Sequence, residues 1–232
     1  MDKERAGVQP LTALVEEKII NIIKENNMKP GDKLENEYEL AKRLNVGRGT
    51  IREAIKSMVS RNILITRQGS GTFVSPRQGI PTDPLGLTFM KEKEGLALEL
   101  LDVRLILEPE IAAISAIRST QEDLDKIVEQ CDKVERLILD GKDYGKEDVL
   151  LHRYIAEASK NQIIGNLVSI IHSSVPLSIG LTNNELKENT IIYHREVVKA
   201  LQNRDPQGAR YAMISHLGEN RRYVQSYEKC GK

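Results

Sequence analysis

Glu37-Tyr38-Glu39-Leu40-Ala41-Lys42-Arg43-Leu44-Asn45-Val46-Gly47-Arg48-Gly49-Thr50-Ile51-Arg52-Glu53-Ala54 decides how the whole chain is read. Glu37 to Leu44 has the spacing of a short helix with Tyr38, Leu40, Ala41 and Leu44 inward, and Asn45-Val46-Gly47 breaks it. A further helix runs from Gly49 or Thr50 to Asn62, with Ile51, Ala54, Ile55, Met58 and Val59 along one side. Two short helices joined by a tight turn make a helix-turn-helix. The opening of the later helix has the chemistry of a major-groove reader. Arg48 and Arg52 are four residues apart and share a face. An arginine fork bonds guanine O6 and N7, or a phosphate. The Thr50 hydroxyl and the amides of the first turn, at Gly49 among others, suit a phosphate oxygen.

Upstream, Leu11, Leu14, Val15, Ile19, Ile22 and Ile23 fall on one helical face, and Met28-Lys29-Pro30-Gly31-Asp32 is a turn. Downstream, the β-branched runs Ile63-Leu64-Ile65-Thr66 and Thr72-Phe73-Val74 flank Arg67-Gln68-Gly69-Ser70-Gly71, which predicts a hairpin. Three helices followed by a hairpin describe a winged helix-turn-helix over residues 1–76. In the wing, Gly69 and Gly71 would let the backbone pass close to nucleic acid beside Arg67 and Gln68; turn geometry alone also accounts for both glycines.

The charge distribution agrees with an anionic partner for this segment. The 232 residues carry 34 Lys plus Arg against 34 Asp plus Glu, yet residues 1–80 hold 14 basic and 10 acidic groups, leaving the remainder acidic. Between 42 and 67 lie Lys42, Arg43, Arg48, Arg52, Lys56, Arg61 and Arg67, with Glu53 the one acid. A solvated helix face is the competing reading of the charge alone. Seven Tyr, two Phe and no Trp exclude an aromatic stacking platform for single strands. Cys131 and Cys230 offer neither a disulfide framework nor a cysteine zinc site, which fits a reducing cytosol. The N-terminus lacks an apolar signal region and no apolar run approaches a membrane span, so a cytoplasmic protein without a membrane partner is expected.

Residues 75–84 contain three prolines and a glycine and read as semi-extended, so 77–92 is taken as a linker. Amphipathic runs at approximately 93–117, 121–139, 143–159, 161–180, 184–203 and 206–226 then predict an all-α, bundle-like domain over 93–228. Thr120 caps one helix with Asp123 three residues on, and Asp205-Pro206 starts another. The chain as a whole is mainly α. All four histidines, His152, His172, His194 and His216, lie in this half. Asp148 and His152 share a helix face, and His194 and His216 lie on two later helices. Neighbouring Val149, Leu151, Ile155, Ile191, Ile192, Val197, Met213 and Leu217 suggest burial. One aspartate and three imidazoles converging in a bundle suit Zn²⁺, Ni²⁺, Mn²⁺ or Fe²⁺; helical histidines are also commonly plain core or surface residues.

Both halves resemble known families. Pro30-Gly31-Asp32-Lys33-Leu34, Glu37, Leu40-Ala41, Leu44-Asn45-Val46, Arg48, Thr50-Ile51-Arg52-Glu53-Ala54 and Gly69-Ser70-Gly71-Thr72-Phe73-Val74 resemble the N-terminal domain of GntR-family transcription regulators. The resemblance implies a winged helix-turn-helix homodimer on a palindromic double-stranded operator. The candidate DNA contacts are Lys33, Arg48, Gly49, Thr50, Arg52, Arg67, Gln68, Gly69 and Gly71. Two positions depart from the pattern: Gly47 stands where Ser or Thr is usual, and Tyr38 where Arg is frequent. Val103-Arg104, Leu107-Glu108-Pro109-Glu110, Ala112-Ala113, Asp148 with His152, Ala158-Ser159-Lys160-Asn161, His194-Arg195, Ala200-Leu201, Asp205-Pro206 and His216-Leu217 resemble the FCD effector-binding domain of the FadR subgroup. That resemblance implies a divalent transition metal on Asp148, His152, His194 and His216, with a small carboxylate effector at its open positions. His172 has no place in that ligand set; it lines the cavity or fills the core. Arg104 either binds the effector carboxylate or pairs with Glu108.

The expected function is a transcription regulator, a repressor whose operator affinity answers to a carboxylate. A metal-dependent enzyme acting on small organic acids is the rival, since the same four ligands describe a catalytic centre. Against it, no general base or nucleophile stands beside the ligands, and the reading head would have no purpose. A purely structural metal is the third reading.

Overall fold

Val15, Ile19 and Ile22 recur at helical spacing and are buried along α1 (Leu11–Glu25). Leu11 and Leu14, expected on the same face, are exposed instead: they lie in the first turn, ahead of the point where the buried cluster begins at Val15. The computed structural model describes residues 10–77, 79–89, 95–173 and 187–230, and the chain divides into two units, Met1–Pro84 and Leu85–Lys232.

In the first unit α2 (Glu37–Leu44) is started by a capping box. The Asn36 Oδ1 accepts from the Tyr38 and Glu39 amides, each at 3.0 Å, and the Glu39 carboxylate accepts from the Asn36 amide at 3.1 Å. Asn45 ends the helix in the left-handed region at φ 52°. Tyr38 was expected inward and is 65% exposed. Two residues from Leu40 is about 200° of rotation, so burying Leu40 turns Tyr38 outward. The reading helix α3 (Arg48–Ser60) starts slightly earlier than predicted and buries Ile51, Ala54, Ile55 and Met58. Gly47 is its N-cap and supplies no side-chain acceptor.

β1 (Leu64–Arg67) and β2 (Gly71–Val74) pair antiparallel, with Leu64 opposite Val74 and Arg67 opposite Gly71. A third segment lies along β2, which the sequence did not announce. The Leu34 amide donates to Thr72 O at 2.8 Å and the Val74 amide to Asp32 O at 2.9 Å, which ties Lys33 to the wing. The stretch after the wing folds back on this unit: the Gly79 amide donates to Asn62 O, and the Asn62 side chain donates to Ile80 O, each at 3.0 Å.

The second unit opens with a 3₁₀ turn at Leu87–Phe89, inside the stretch taken as linker, and Leu87 packs on Leu96, Leu100 and Ile171. Six α-helices follow among the described residues: α4 (Leu96–Arg118), α5 (Gln121–Leu139), α6 (Gly145–Ala158), α7 (Gln162–Ser173), α8 (Lys187–Gln202) and α9 (Pro206–Cys230). The expected continuation of the fourth run to 180, and the start of the fifth at 184, lie outside the described residues. Both predicted caps form: Thr120 with Asp123, and Asp205, whose carboxylate accepts from the Gln207 and Gly208 amides. α4 is the central element, packing against α6, α7, α8 and α9, while α5 packs against α6 and α8. The apolar core runs through Leu101, Ala112, Ile127, Val134, Leu151, Val197, Met213 and Leu217. Ile192, expected beside a buried His194, is exposed. No helix among the described residues is long and apolar enough to cross a membrane.

Candidate nucleic-acid interface and metal centre

All nine candidate DNA contacts belong to the first unit and none is buried: Thr50 is half-buried, and Lys33, Arg48, Gly49, Arg52, Arg67, Gln68, Gly69 and Gly71 are exposed. At the start of α3 the Thr50 and Ile51 amides bond Gly47 O, whereas the Arg48 and Gly49 amides come too early in the helix for an intrahelical acceptor. A Cβ placed on Gly49 would meet no atom within 4 Å, so packing inside the unit is no reason for a glycine there. Gly71 is different. Its φ of +115° favours glycine, and a Cβ there would stand 3.0 Å from the Lys33 Cε. Lys33 is thus laid against the wing. The Arg67 guanidinium sits 4.6 Å above the Phe73 ring centroid, a cation–π contact within the wing.

Arg52 is held by Glu37, a residue of the resemblance to which the sequence assigned no contact. Its Nε donates to both Glu37 carboxylate oxygens at 3.3 and 3.2 Å, and its Nη2 donates to Oε2 at 2.9 Å. The hydrogen bond from Arg52 holds the Glu37 carboxyl below its ordinary value, with Arg48 and Lys56 adding to the effect.

In the second unit four side chains from three helices converge. Asp148 and His152 come from α6, His194 from α8 and His216 from α9. The Nε2 atoms of His194 and His216 lie 3.3 Å apart, as do those of His216 and His152. The Asp148 carboxylate reaches His194 Nε2 at 3.3 Å and His152 Nε2 at 3.9 Å. Two nitrogens each about 2.1 Å from one ion would stand roughly 3.0 Å apart at a right angle and roughly 3.4 Å at the tetrahedral angle. The spacing of the three nitrogens therefore fits shared coordination of a divalent ion, with the Asp148 carboxylate alongside His194 and His152. All three rings are buried. Burial pushes the His194 imidazole down to about 4, against the pull of Asp148. Burial also lowers His216 well below its ordinary value, with His194 and His152 acting in the same direction. At neutral pH both rings are uncharged, the form that a metal requires.

Behind His152 lies a buried polar hub on α4. Glu108 accepts from His152 Nδ1 at 2.6 Å, from Arg104 Nε at 2.6 Å and from His172 Nε2 at 2.8 Å. Burial opposes its ionisation, but Arg104 and the His152 and His172 rings outweigh it and hold the carboxyl well below its ordinary value. A charged Glu108 takes the proton-bearing Nδ1 of His152, which leaves the Nε2 lone pair for the cluster. The sequence offered Glu108 as a motif residue and as a possible partner of Arg104; its two histidine partners are 44 and 64 residues away in sequence. His172 is therefore a polar member of this hub rather than simple core filling, and its own Nδ1, like that of His216, has no hydrogen-bond partner among the described residues. Arg104 does form the ion pair with Glu108, and its Nη2 also comes within 3.4 Å of His152 Nε2.

These two sites correspond to two known domains. Residues 11–74 match the bacterial regulatory proteins of the gntR family, and residues 99–219, over half of the chain, match the FCD domain. The chain belongs to the GntR family. Relatives of this GntR-family chain include the putative L-lactate dehydrogenase operon regulatory protein of Escherichia coli (strain K12), 32% identical over 219 residues. That match covers 88% of this chain and 82% of the relative. The HTH-type transcriptional regulator LutR of Bacillus subtilis (strain 168) is 30% identical over 153 residues, 66% of this chain and 69% of LutR. Among solved structures, a GntR protein of Streptococcus agalactiae is 36% identical with a TM-score of 0.82, covering 91% of this chain and all of that one. The GntR-family chain is a DNA-binding transcription regulator, as are these domains and relatives, and not an enzyme. Its second unit is an FCD domain, a type that binds small-molecule effectors and commonly a metal.

Proposed function

We propose that this regulator is a repressor in the cytoplasm that binds a palindromic operator as a homodimer and releases it when a small carboxylate binds in the FCD domain. In this reading 1–76 reads DNA, 77–92 connects and 93–228 senses. Asp148, His152, His194 and His216 hold a divalent ion of the zinc, nickel, manganese or iron class. When bound, that ion supplies open coordination positions for carboxylate oxygens. The observation that carries the reading is the meeting of three buried imidazole Nε2 atoms with the carboxylate of Asp148, at separations of 3.3 to 3.9 Å. Arg104 stands beside them, and its planar fork would receive the negative end of an acid held at the cluster. Lys33, Arg48, Gly49, Thr50, Arg52, Arg67, Gln68, Gly69 and Gly71 make the DNA contacts. A dimer matches one half-site spacing, so a modest helix rearrangement in the sensing domain lowers operator affinity.

Titrating a library of small carboxylates calorimetrically into zinc-loaded and chelator-treated protein tests this directly. At least one acid is expected to bind the loaded protein and to lose affinity after chelation. If chelation lowers the melting temperature and leaves acid affinity unchanged, the metal is structural. His194→Ala is expected to weaken zinc and acid binding while the metal-free protein still shifts operator DNA, and Arg52→Ala to do the converse. Interchangeable effects of the two substitutions would overturn the division of labour.

A further inference from the structure

Arg52 is a long, flexible side chain on an exposed helix face, and such a side chain reads a base only when its fork is aimed. Planar guanidinium has three edges. Glu37 occupies the side edge, taking the Nε hydrogen and the adjacent Nη2 hydrogen. Engaged this way, the group turns its end-on edge, Nη1 with the outer hydrogen of Nη2, away from the carboxylate. That edge carries two parallel N–H groups at the spacing of guanine O6 and N7. Glu37 adds a second constraint through its charge, because a carboxylate beside the fork repels phosphate and favours a base edge in that place. Arg48, one turn earlier on α3, acts on Glu37 through its charge but forms no ion pair with it among the described residues, so its fork stays available to the backbone. The restraint is rooted in a different element: Glu37 is the first residue of α2, whose start is fixed independently by the Asn36–Glu39 capping box.

We propose that Glu37 is a specificity-determining positioning residue, which grips Arg52 by its side edge and presents its end-on edge to a guanine in the major groove. The inference rests on the reading of Arg52 as a DNA contact and adds what that contact recognises. It also assigns distinct tasks to the two arginines: Arg52 discriminates, and Arg48 supplies electrostatic affinity.

The full-length protein, its Glu37→Gln variant and its Arg52→Ala variant are each used to select duplexes from a library randomised over about two helical turns. The wild-type consensus, its single-base variants and a scrambled duplex are then titrated with all three proteins. The wild type is expected to fix one guanine in each half-site through Arg52, and Arg52→Ala to lose about 10- to 100-fold of discrimination there. Glu37→Gln is expected to lose at least about fivefold of discrimination at that same guanine. It should bind the scrambled duplex as well as the wild type or better, because a negative charge has been removed. Should Arg52→Ala lose the guanine preference while Glu37→Gln keeps it, the positioning role fails and Arg52 remains a reader. Should Arg52→Ala keep every base preference, the reading of Arg52 fails and the inference with it. A uniform loss on all duplexes by Glu37→Gln, together with a lower melting temperature, would assign Glu37 to the stability of α2 and overturn the proposal.

Discussion

Glu108 accepts the His152 Nδ1 hydrogen at 2.6 Å while its other oxygen takes Arg104 and His172, so one buried carboxylate links α4, α6 and α7 behind the candidate metal centre. Removing it releases the tautomer of His152 and leaves Arg104 buried without its counter-charge. Glu108→Ala is expected to weaken zinc affinity by about 10- to 100-fold, read by competition with a chromophoric chelator. The metal-free variant should also lose about 3–5 kcal/mol in urea unfolding, since breaking a buried pair strands one charge. Unchanged zinc affinity in a folded variant would show that His152 needs no such partner.

The wing depends on a glycine at position 71 for its φ of +115°, and the Lys33 side chain lies against it. Gly71→Ala should therefore cost about 1–3 kcal/mol through backbone strain, measured as a lower melting temperature. It should also weaken binding to DNA by displacing Lys33, and a mobility shift that matches the wild type at equal protein concentration would refute that.

Salt dependence separates the arginines of α3. Operator affinity should fall steeply as salt rises, because each neutralised phosphate releases counterions. Arg48→Ala is expected to flatten the log–log slope by about 1. Arg52→Ala should change the slope less, since Glu37 already compensates its charge. Equal slope changes for both variants would contradict this assignment.

Cys131 offers a check on the packing of the second unit. It is buried on α5, and burial pushes its thiol up to about 11, so almost none is thiolate at pH 8. In a Cys230→Ser background, Cys131 should resist a disulfide reagent under native conditions and react promptly in urea. Fast native labelling, followed by thiol absorbance, would mean that α5 opens.

Much of the architecture was open to inspection in the primary structure. The reading helix, the hairpin around Gly69 and Gly71, and the Thr120 and Asp205 helix starts are governed by neighbours within a few residues, and each forms as the local pattern predicts, the reading helix shifted by one or two residues at each end. The four candidate ligands could be named from the resemblance, although nothing in their spacing fixed the meeting of α6, α8 and α9. Errors of facing had a local cause too. Tyr38 and Ile192 are apolar enough to be counted inward, but burying Leu40 and His194 points them the other way.

Helical and strand periodicities, caps and turn glycines act over short range, so the helices, the wing and the two-part plan follow from the order of the residues. That Glu37 grips Arg52, and that Glu108 joins Arg104 to His152 and His172, emerges with the packing of the helices. Those pairs are separated by 15 to 64 residues, apart from the local Arg104–Glu108 step, and no repeat or spacing rule reaches across such loops. Packing of separate helices brings them together, and the cost of burying a charge then selects which partners must meet.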